Sequence, residues 1–258
     1  MGRKVIENKL VCDENGYYTI DFEAFEKLAK EPDNTAFLLC SPHNPVGRVW
    51  TEEELKKMYE ICQRYNVLII ADEVHCDFLR KGIEFIPMHN IANGKGVVTC
   101  SGLGKTFNLA ELRPGVGIVT DPDLLDGYSK AVGGYILTTE FKMNAMIAGY
   151  TDSDDWLEQV NEYIDGNIDA CLEFFAKKMP KVKCLRPEGT YLIWMDFRAY
   201  NLDDEEIHRR IYDKAWVKLE DGTMFDKIDG IGYQRMCMTA PRSRILEALE
   251  RIRKEFEE

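Results

Sequence analysis

Lys105 stands just after an apolar run, residues 96–100, and Gly102 and Gly104 flank Leu103 immediately before it. An amine at a glycine-lined strand exit sits on rigid backbone with little side-chain bulk around it. That placement suits an amine that must reach a bound molecule. The plainer reading is a surface lysine after a turn, and the stretch alone serves both equally. A nucleotide-binding loop is a third reading, but its pattern needs a glycine five positions before Gly104, where Thr99 stands. An imine-forming amine would need polar partners from elsewhere in the chain. Asn44 and Asp72 follow two other apolar runs, Ser101 closes the run before the lysine, His75 lies three residues beyond Asp72, and Arg113 lies eight beyond Lys105.

The elements that must position these groups are legible as apolar runs and caps. Residues 36–40, 67–71, 96–100 and 116–119 are continuous apolar strands. Strands of that kind, with helices or loops between them, predict a parallel sheet covered on both sides. In such sheets ligands bind outside the carboxyl ends of the strands, and here those ends carry Asn44, Asp72, Ser101 and Lys105. Asp21 caps a helix over residues 22–30, and Thr51 with Glu54 forms a capping box for a helix to about residue 65. A turn at residues 13–16 separates two short extended pieces. Two prolines stiffen the loop at residues 41–47. From residue 138 the character changes. Long helical patterns run over 139–150 and 154–179, followed by short strands at 182–185 and 191–197. A helix over 203–214, a strand over 232–239 and a final helix opened by Pro241 complete the chain. The expected class is α/β with two units, residues 1–150 and 151–258.

The 258 residues are 45% hydrophobic and 30% charged, ordinary for a soluble globular chain, and the formal net charge is −12. An acidic balance argues against a nucleic-acid partner, because phosphate binding needs basic surface. No apolar run is long enough to span a membrane and no signal peptide is expected, so the cytoplasm is the expected location. The eight cysteines form no CxxC pair, and several sit inside apolar runs; free thiols are expected rather than zinc ligands or disulfides, and no metal site is expected.

Read as an imine-forming amine, Lys105 belongs with pyridoxal 5′-phosphate (PLP), an electron sink that needs a lysine, a carboxylate on its pyridinium nitrogen and donors for its phosphate. Asp72 can supply the carboxylate. Asn44 can donate to the ring O3′, and His75 can reach the same oxygen. Ser101 and Arg113 can meet the phosphate, Arg113 as a bidentate partner. His75 reads equally well as a packed core histidine.

At these residues the chain resembles the fold-type I, class I/II PLP-dependent aminotransferase superfamily, and within it the cystathionine β-lyase (C–S lyase) family. The resemblance is carried by Ser41-Pro42-His43-Asn44-Pro45-Val46-Gly47-Arg48-Val49-Trp50, by Ala71-Asp72-Glu73-Val74-His75-Cys76-Asp77 and by Lys105-Thr106-Phe107-Asn108-Leu109-Ala110. Thr190-Tyr191-Leu192-Ile193-Trp194-Met195-Asp196 and Ala240-Pro241-Arg242-Ser243 follow in the family's order. It implies a partial fold-type I large domain, a mostly parallel sheet with helices, plus a smaller C-terminal α/β domain. It implies Lys105 as the Schiff-base lysine, Asp72 as the pyridinium partner, Asn44 at O3′ and Arg235 as the holder of the substrate α-carboxylate.

The implied activity is cleavage of cystathionine or another L-cysteine S-conjugate to a thiol, pyruvate and ammonia, in a homodimer. An aminotransferase, or a catalytically incompetent remnant of either, is the alternative. The sequence departs from the family pattern at five positions. Gly104 replaces the usual serine, Cys237 replaces the asparagine of Arg-x-Asn, Arg113 replaces the lyases' Gln or Thr, and Glu111 and Pro114 leave the aminotransferase signature. Relatives also carry a longer N-terminal portion with a glycine-containing phosphate loop and the aromatic that stacks on the PLP ring, which this chain is expected to lack.

Overall fold

The computed structural model describes residues 2–132 and 139–258. Strands β1 (Leu10–Cys12) and β2 (Tyr18–Ile20) pair antiparallel across the expected turn. Asp13 holds that turn by accepting from the Asn15 and Tyr17 amides at 2.9 and 2.8 Å. Helix α1 (Phe22–Ala29) is capped by Asp21, which accepts from the Ala24 amide. Then come β3 (Ala36–Cys40), α2 (Glu52–Arg64), β4 (Leu68–Asp72), α3 (Met88–Ala92), β5 (Val97–Gly102) and the single turn α4 (Leu103–Thr106). Both halves of the Thr51–Glu54 capping box form at the start of α2. Strand β6 (Gly115–Ile118) and α5 (Pro122–Val132) follow.

These strands form one sheet in the order β3-β4-β5-β6. The first three are parallel, as expected, but β6 runs antiparallel to β5, with Gly102 opposite Gly115. The link between them, residues 103–114, folds into α4 and a turn of 3-10 helix (Ala110–Leu112). It doubles back instead of crossing over, so the chain returns antiparallel. The sheet also differs from expectation in its cover. Leu39, Ile69, Ala71 and Val97 point into a core with Leu55, Met58, Ile61 and Cys62 of α2 and Met88 and Ala92 of α3. The opposite face holds Leu38, which is 69% exposed.

The second half begins with α6 (Glu140–Asp152) and α7 (Asp154–Lys178), broken at Ser153. Strands β7 (Leu192–Asp196), β8 (Glu220–Asp221) and β9 (Tyr233–Cys237) make an antiparallel sheet in the order β7-β9-β8. Residues 182–185 are no strand; Lys183 makes only a single bridge to Asp196. The helix expected over 203–214 is α8 (Asp204–His208) running on into a π-helical turn, Arg209–Lys214. Helix α9 (Arg242–Glu257) closes the chain after Pro241. Its Ile245, Leu249 and Ile252 pack with Ile164, Ile168 and Phe175 of α7 and Ile193 and Met195 of β7 in a second core.

The halves are tied through Arg48, whose side chain is 4% exposed. Its Nε donates to Glu188 at 2.9 Å, its Nη2 donates to Glu54 at 2.9 Å, and its Nη1 donates to the Tyr18 carbonyl. The guanidinium also lies over the Tyr17 ring at 4.3 Å and the Trp50 ring at 4.8 Å. Glu188 in turn accepts from the Val49 amide at 2.8 Å and the Tyr17 hydroxyl at 3.1 Å. Next to it, Gly189 passes so close that a Cβ there would stand 2.8 Å from both Pro42 and Val49.

Replacing Arg48 leaves two carboxylates with little solvent and no cation. Arg48→Met is expected to lower unfolding stability by about 3 kcal/mol in urea titrations. Arg48→Lys should recover only part of the loss, since an ammonium cannot span three acceptors in a plane.

Candidate active site

Strand register brings the sequence-predicted residues to one sheet edge. Cys40, Asp72 and Cys100 lie side by side at the ends of β3, β4 and β5. The chain continues from these ends into Ser41, Glu73 and Ser101, pinned by the Ser41 amide on the Asp72 carbonyl (3.0 Å) and the Glu73 amide on the Cys100 carbonyl (2.8 Å). Asp72 itself accepts from the Val74 amide at 3.3 Å and makes no ion pair with any described residue.

Gly102 sets the aim of Lys105. Its φ of 154° and ψ of 162° belong to a region that only glycine occupies freely, and a Cβ would stand 2.1 Å from the Pro114 carbonyl oxygen. The chain therefore turns from β5 straight into α4, whose third residue is Lys105. The lysine is exposed and forms no ion pair among the described residues. Thr106, one residue on, is buried and donates to Asp77 at 2.5 Å, which fixes α4 against the segment after β4. Arg113 lies two residues before β6, the strand whose Val116 pairs with Ser101, and is exposed in left-handed backbone (φ 47°).

Arg235 reaches the same edge from the second sheet. Its Nη1 donates to Asn44 Oδ1 at 2.6 Å, and its Nε donates to Glu220 Oε2 at 2.7 Å, an acceptor that Nη2 shares. The Phe225 ring lies under the guanidinium at 4.6 Å. Of the five guanidinium N–H groups three are used, so one on each terminal nitrogen remains for an incoming carboxylate. With its oxygen engaged by Arg235, Asn44 keeps both amide N–H groups for another acceptor.

His75 is 4% exposed and stacks edge-on against Tyr191 at 5.2 Å. Its Nδ1 is buried without a hydrogen-bond partner. Burial first, then the charges of Lys105 and Arg235, depress its pKa to about 4. The ring is neutral at pH 7 and lies within the electrostatic reach of both cations. His43 is also held at about 4, by burial and by Arg48. Burial pushes the Glu73 carboxyl up to about 7, against the help of the Met88 amide at 2.8 Å.

Sequence reasoning passed over several groups that the fold brings in. Glu220 carried no motif, and only the pairing of β8 with β9 places it opposite Arg235. Tyr150, at the end of α6, lies by Ser101, Cys76 and Asp77, where burial raises its hydroxyl pKa. Tyr191 was visible only as part of a run. No sequence signal distinguishes these three, because each acts through a contact across many residues.

With this geometry in place, the comparisons with known proteins are decisive at the level of family. Residues 5–252 match the family described as aminotransferase class I and II. The chain belongs to that family. It is 34% identical over 256 residues to cystathionine beta-lyase PatB of Bacillus subtilis, covering 98% of this chain and 66% of PatB. Its fold superimposes on cystalysin from Treponema denticola, which contains a PLP cofactor. The TM-score is 0.95, with 35% identity over 99% of this chain and 65% of that one. A PLP-bound putative aminotransferase from Clostridium difficile gives a TM-score of 0.92 with 41% identity, over 98% of this chain and 66% of that one. The chain thus spans about two thirds of the length of these relatives.

The His75 environment makes stability depend on pH with a definite sign. An ordinary histidine protonates near 6.5, so below that pH the unfolded chain binds a proton that the folded chain refuses. Its contribution is intact above about 6.5 and is lost as pH falls toward 4. For His75 the full loss is roughly 3 kcal/mol. Glu73 acts oppositely over pH 4.5 to 7, equally in wild type and variant. Urea midpoints measured from pH 7 to 4 should therefore fall less steeply in His75→Gln than in the parent.

Proposed function

We propose that this chain carries the lysine-bearing part of a PLP-dependent carbon–sulfur β-lyase. Its substrates are cystathionine or another L-cysteine S-conjugate, taken with water to a thiol, pyruvate and ammonia. The observation that carries the reading is the meeting of Lys105, Asp72, Asn44 and Arg235 at one sheet edge, with an orphaned His75 nitrogen among them. The donor set fits PLP: an amine with no carboxylate on it, a carboxylate with no cation on it, and an amide with its N–H groups free. At the phosphate end the fit is thinner, with Ser101 and Arg113 but with Gly104 where a hydroxyl would help.

When bound, PLP supplies the electron sink for the pair left at the substrate Cα. The protein's part is positional and protonic. Asp72 would keep the proton on the ring nitrogen. Asn44 would donate to O3′, and neutral His75 would offer its ring to the same oxygen. Ser101 and Arg113 would hold the phosphate. Arg235 would take the substrate α-carboxylate with the two N–H groups that Glu220 and Asn44 leave open. The Lys105 amine would take the Cα proton as general base. Arg113 also favours a second reading, amino-group transfer, since aminotransferases carry arginine at that position.

Two units, residues 1–150 and 151–258, fit the two hydrophobic cores. A homodimer fits α6, whose Phe141, Met143, Ile147 and Tyr150 are 71, 44, 55 and 55% exposed. Exposed apolar side chains grouped on one helix gain stability when a partner covers them. A cytoplasmic setting fits eight free thiols. No described helix is long and apolar enough to cross a membrane.

Titration with PLP tests the site. The expected result is an absorbance change that borohydride fixes at Lys105 and that Lys105→Ala abolishes; no Lys105-dependent change would leave only the remnant reading. Thiol and pyruvate released from cystathionine support the lyase, and amino transfer to a 2-oxo acid supports the alternative.

Gly104 is open to improvement. A Cβ there would meet Pro114 at 3.5 Å and Ala110 at 3.7 Å, which is ordinary contact. Gly104→Ser is expected to tighten PLP about two- to tenfold in equilibrium titration, the worth of one added hydrogen bond.

A further inference from the structure

Arg48 is not the only guanidinium sealed inside the fold. Arg80 lies in the segment that leaves β4, and its side chain is 3% exposed. All three nitrogens of Arg48 donate to acceptors. In Arg80 only Nη1 does, to Asp165 of α7. Its Nε and Nη2 are buried with no hydrogen-bond partner among the described residues. These two nitrogens share one edge of the planar group, so their hydrogens point the same way. Arg198 turns that same edge on Asp196, at 2.9 and 2.7 Å. A guanidinium keeps its charge in any protein, so Arg80 cannot shed the cost of burial by losing a proton. Buried donors of this kind are found paired, with the chain or with ordered water.

An unfilled acceptor lies on the adjacent turn of α7. Asn161 stands four residues before Asp165, on the same helix face. Its Nδ2 donates to the Asp77 carbonyl at 2.9 Å, which fixes the orientation of the amide. Its Oδ1 is then buried and unpartnered among the described residues. Two successive turns of α7 thus grip residues 77–80 at both ends, and polar atoms on both sides of the seam are left unpaired. The segment cannot turn to pair them itself. The Phe78 carbonyl accepts from the Thr190 amide at 2.8 Å and the Arg80 carbonyl from the Ile83 amide at 3.0 Å, while the Arg80 amide donates to the Glu188 carbonyl at 3.0 Å.

We propose that one buried water occupies this seam, accepting from Arg80 Nε and Nη2 and donating to Asn161 Oδ1. Three polar partners are what a buried water usually has. A small anion suits the seam less well. It could take the two donors but has no proton to give Asn161. The local charges already balance, since Arg80 and Arg186 pair with Asp165 and Asp169. The seam bears on the candidate site because Asp77 also accepts from Thr106, the neighbour of Lys105, at 2.5 Å. The inference rests on the fold and is independent of the functional reading above.

A crystal structure of the 258-residue chain, grown with bromide in place of chloride, tests it. The expected result is a single peak within hydrogen-bond distance of Arg80 Nε, Arg80 Nη2 and Asn161 Oδ1, without anomalous signal. A bromide signal there would overturn the water in favour of an anion. An empty seam, or a protein oxygen on that edge of Arg80, would overturn it outright. Magnetic relaxation dispersion of the water oxygen gives a second answer in solution, because it counts long-lived buried waters. Arg80→Met removes both donors, while Asp165 keeps Arg186 at 3.6 Å. That variant should hold one long-lived water fewer than the parent, and an unchanged count sinks the proposal.

Discussion

The buried Arg48 guanidinium is the constraint on which the arrangement depends. It joins three pieces of chain at one point: the β1–β2 hairpin through Tyr18, the start of α2 through Glu54, and the approach to β7 through Glu188. A lysine could satisfy one of these acceptors at a time. The planar fork satisfies all three while its faces rest on Tyr17 and Trp50. A charge so deeply buried is tolerated only because its polar hydrogens find partners. The consequence for the site is direct. The loop that carries Asn44 ends at Arg48, and the segment that leads to Tyr191 begins at Glu188, so one interaction sets the spacing between the edge of the first sheet and the second.

Charge at the site is balanced by pairing geometry and by burial together. Arg235 is held by Glu220 and Asn44 from one side, which neutralises it at rest without using the whole fork. Lys105 has no carboxylate partner among the described residues and stays exposed, so its amine is accessible. His75 is kept uncharged first by its burial and then by the charges of Lys105 and Arg235. A third positive group beside them would be repelled. Holding this one neutral leaves its buried Nδ1 free to accept or donate.

Much of this was legible in the sequence, for identifiable reasons. The Thr51–Glu54 box and Asp21 predicted helix starts because their bonds are local. The parallel strands β3 to β5 were visible because apolar runs of five residues admit few alternatives. Where order depended on distant partners, the reading failed. The antiparallel return of β6 follows from how residues 103–114 double back around Gly102, and the π-helical turn after α8 has no residue signature. Residues 182–185 looked like a strand from composition, yet among the described residues they form a single isolated bridge, Lys183 with Asp196. The candidate site shows the same division. Asn44, Asp72 and Lys105 sit at strand ends and could be placed from sequence, whereas Glu220 and Tyr150 arrive from other elements and could not.

The second sheet face is the one place where pattern and structure disagree in a way that carries information. The runs Ala36–Cys40 and Leu68–Asp72 are apolar at successive positions, which is how a strand reads when both its faces are buried. Had this fold evolved to stand with one face in water, Leu38 and Ile70 would be expected to alternate with polar residues. They do not. The sequence is therefore written for a sheet with two covers. Lys105 owes its position to Gly102 and α4, which are complete within this chain. Asp72 owes its position to the register of β4 between β3 and β5 and accepts from the Val74 amide. The two groups at the heart of the proposed chemistry thus differ in kind, one aimed by a single backbone turn and the other held by strand pairing on both sides.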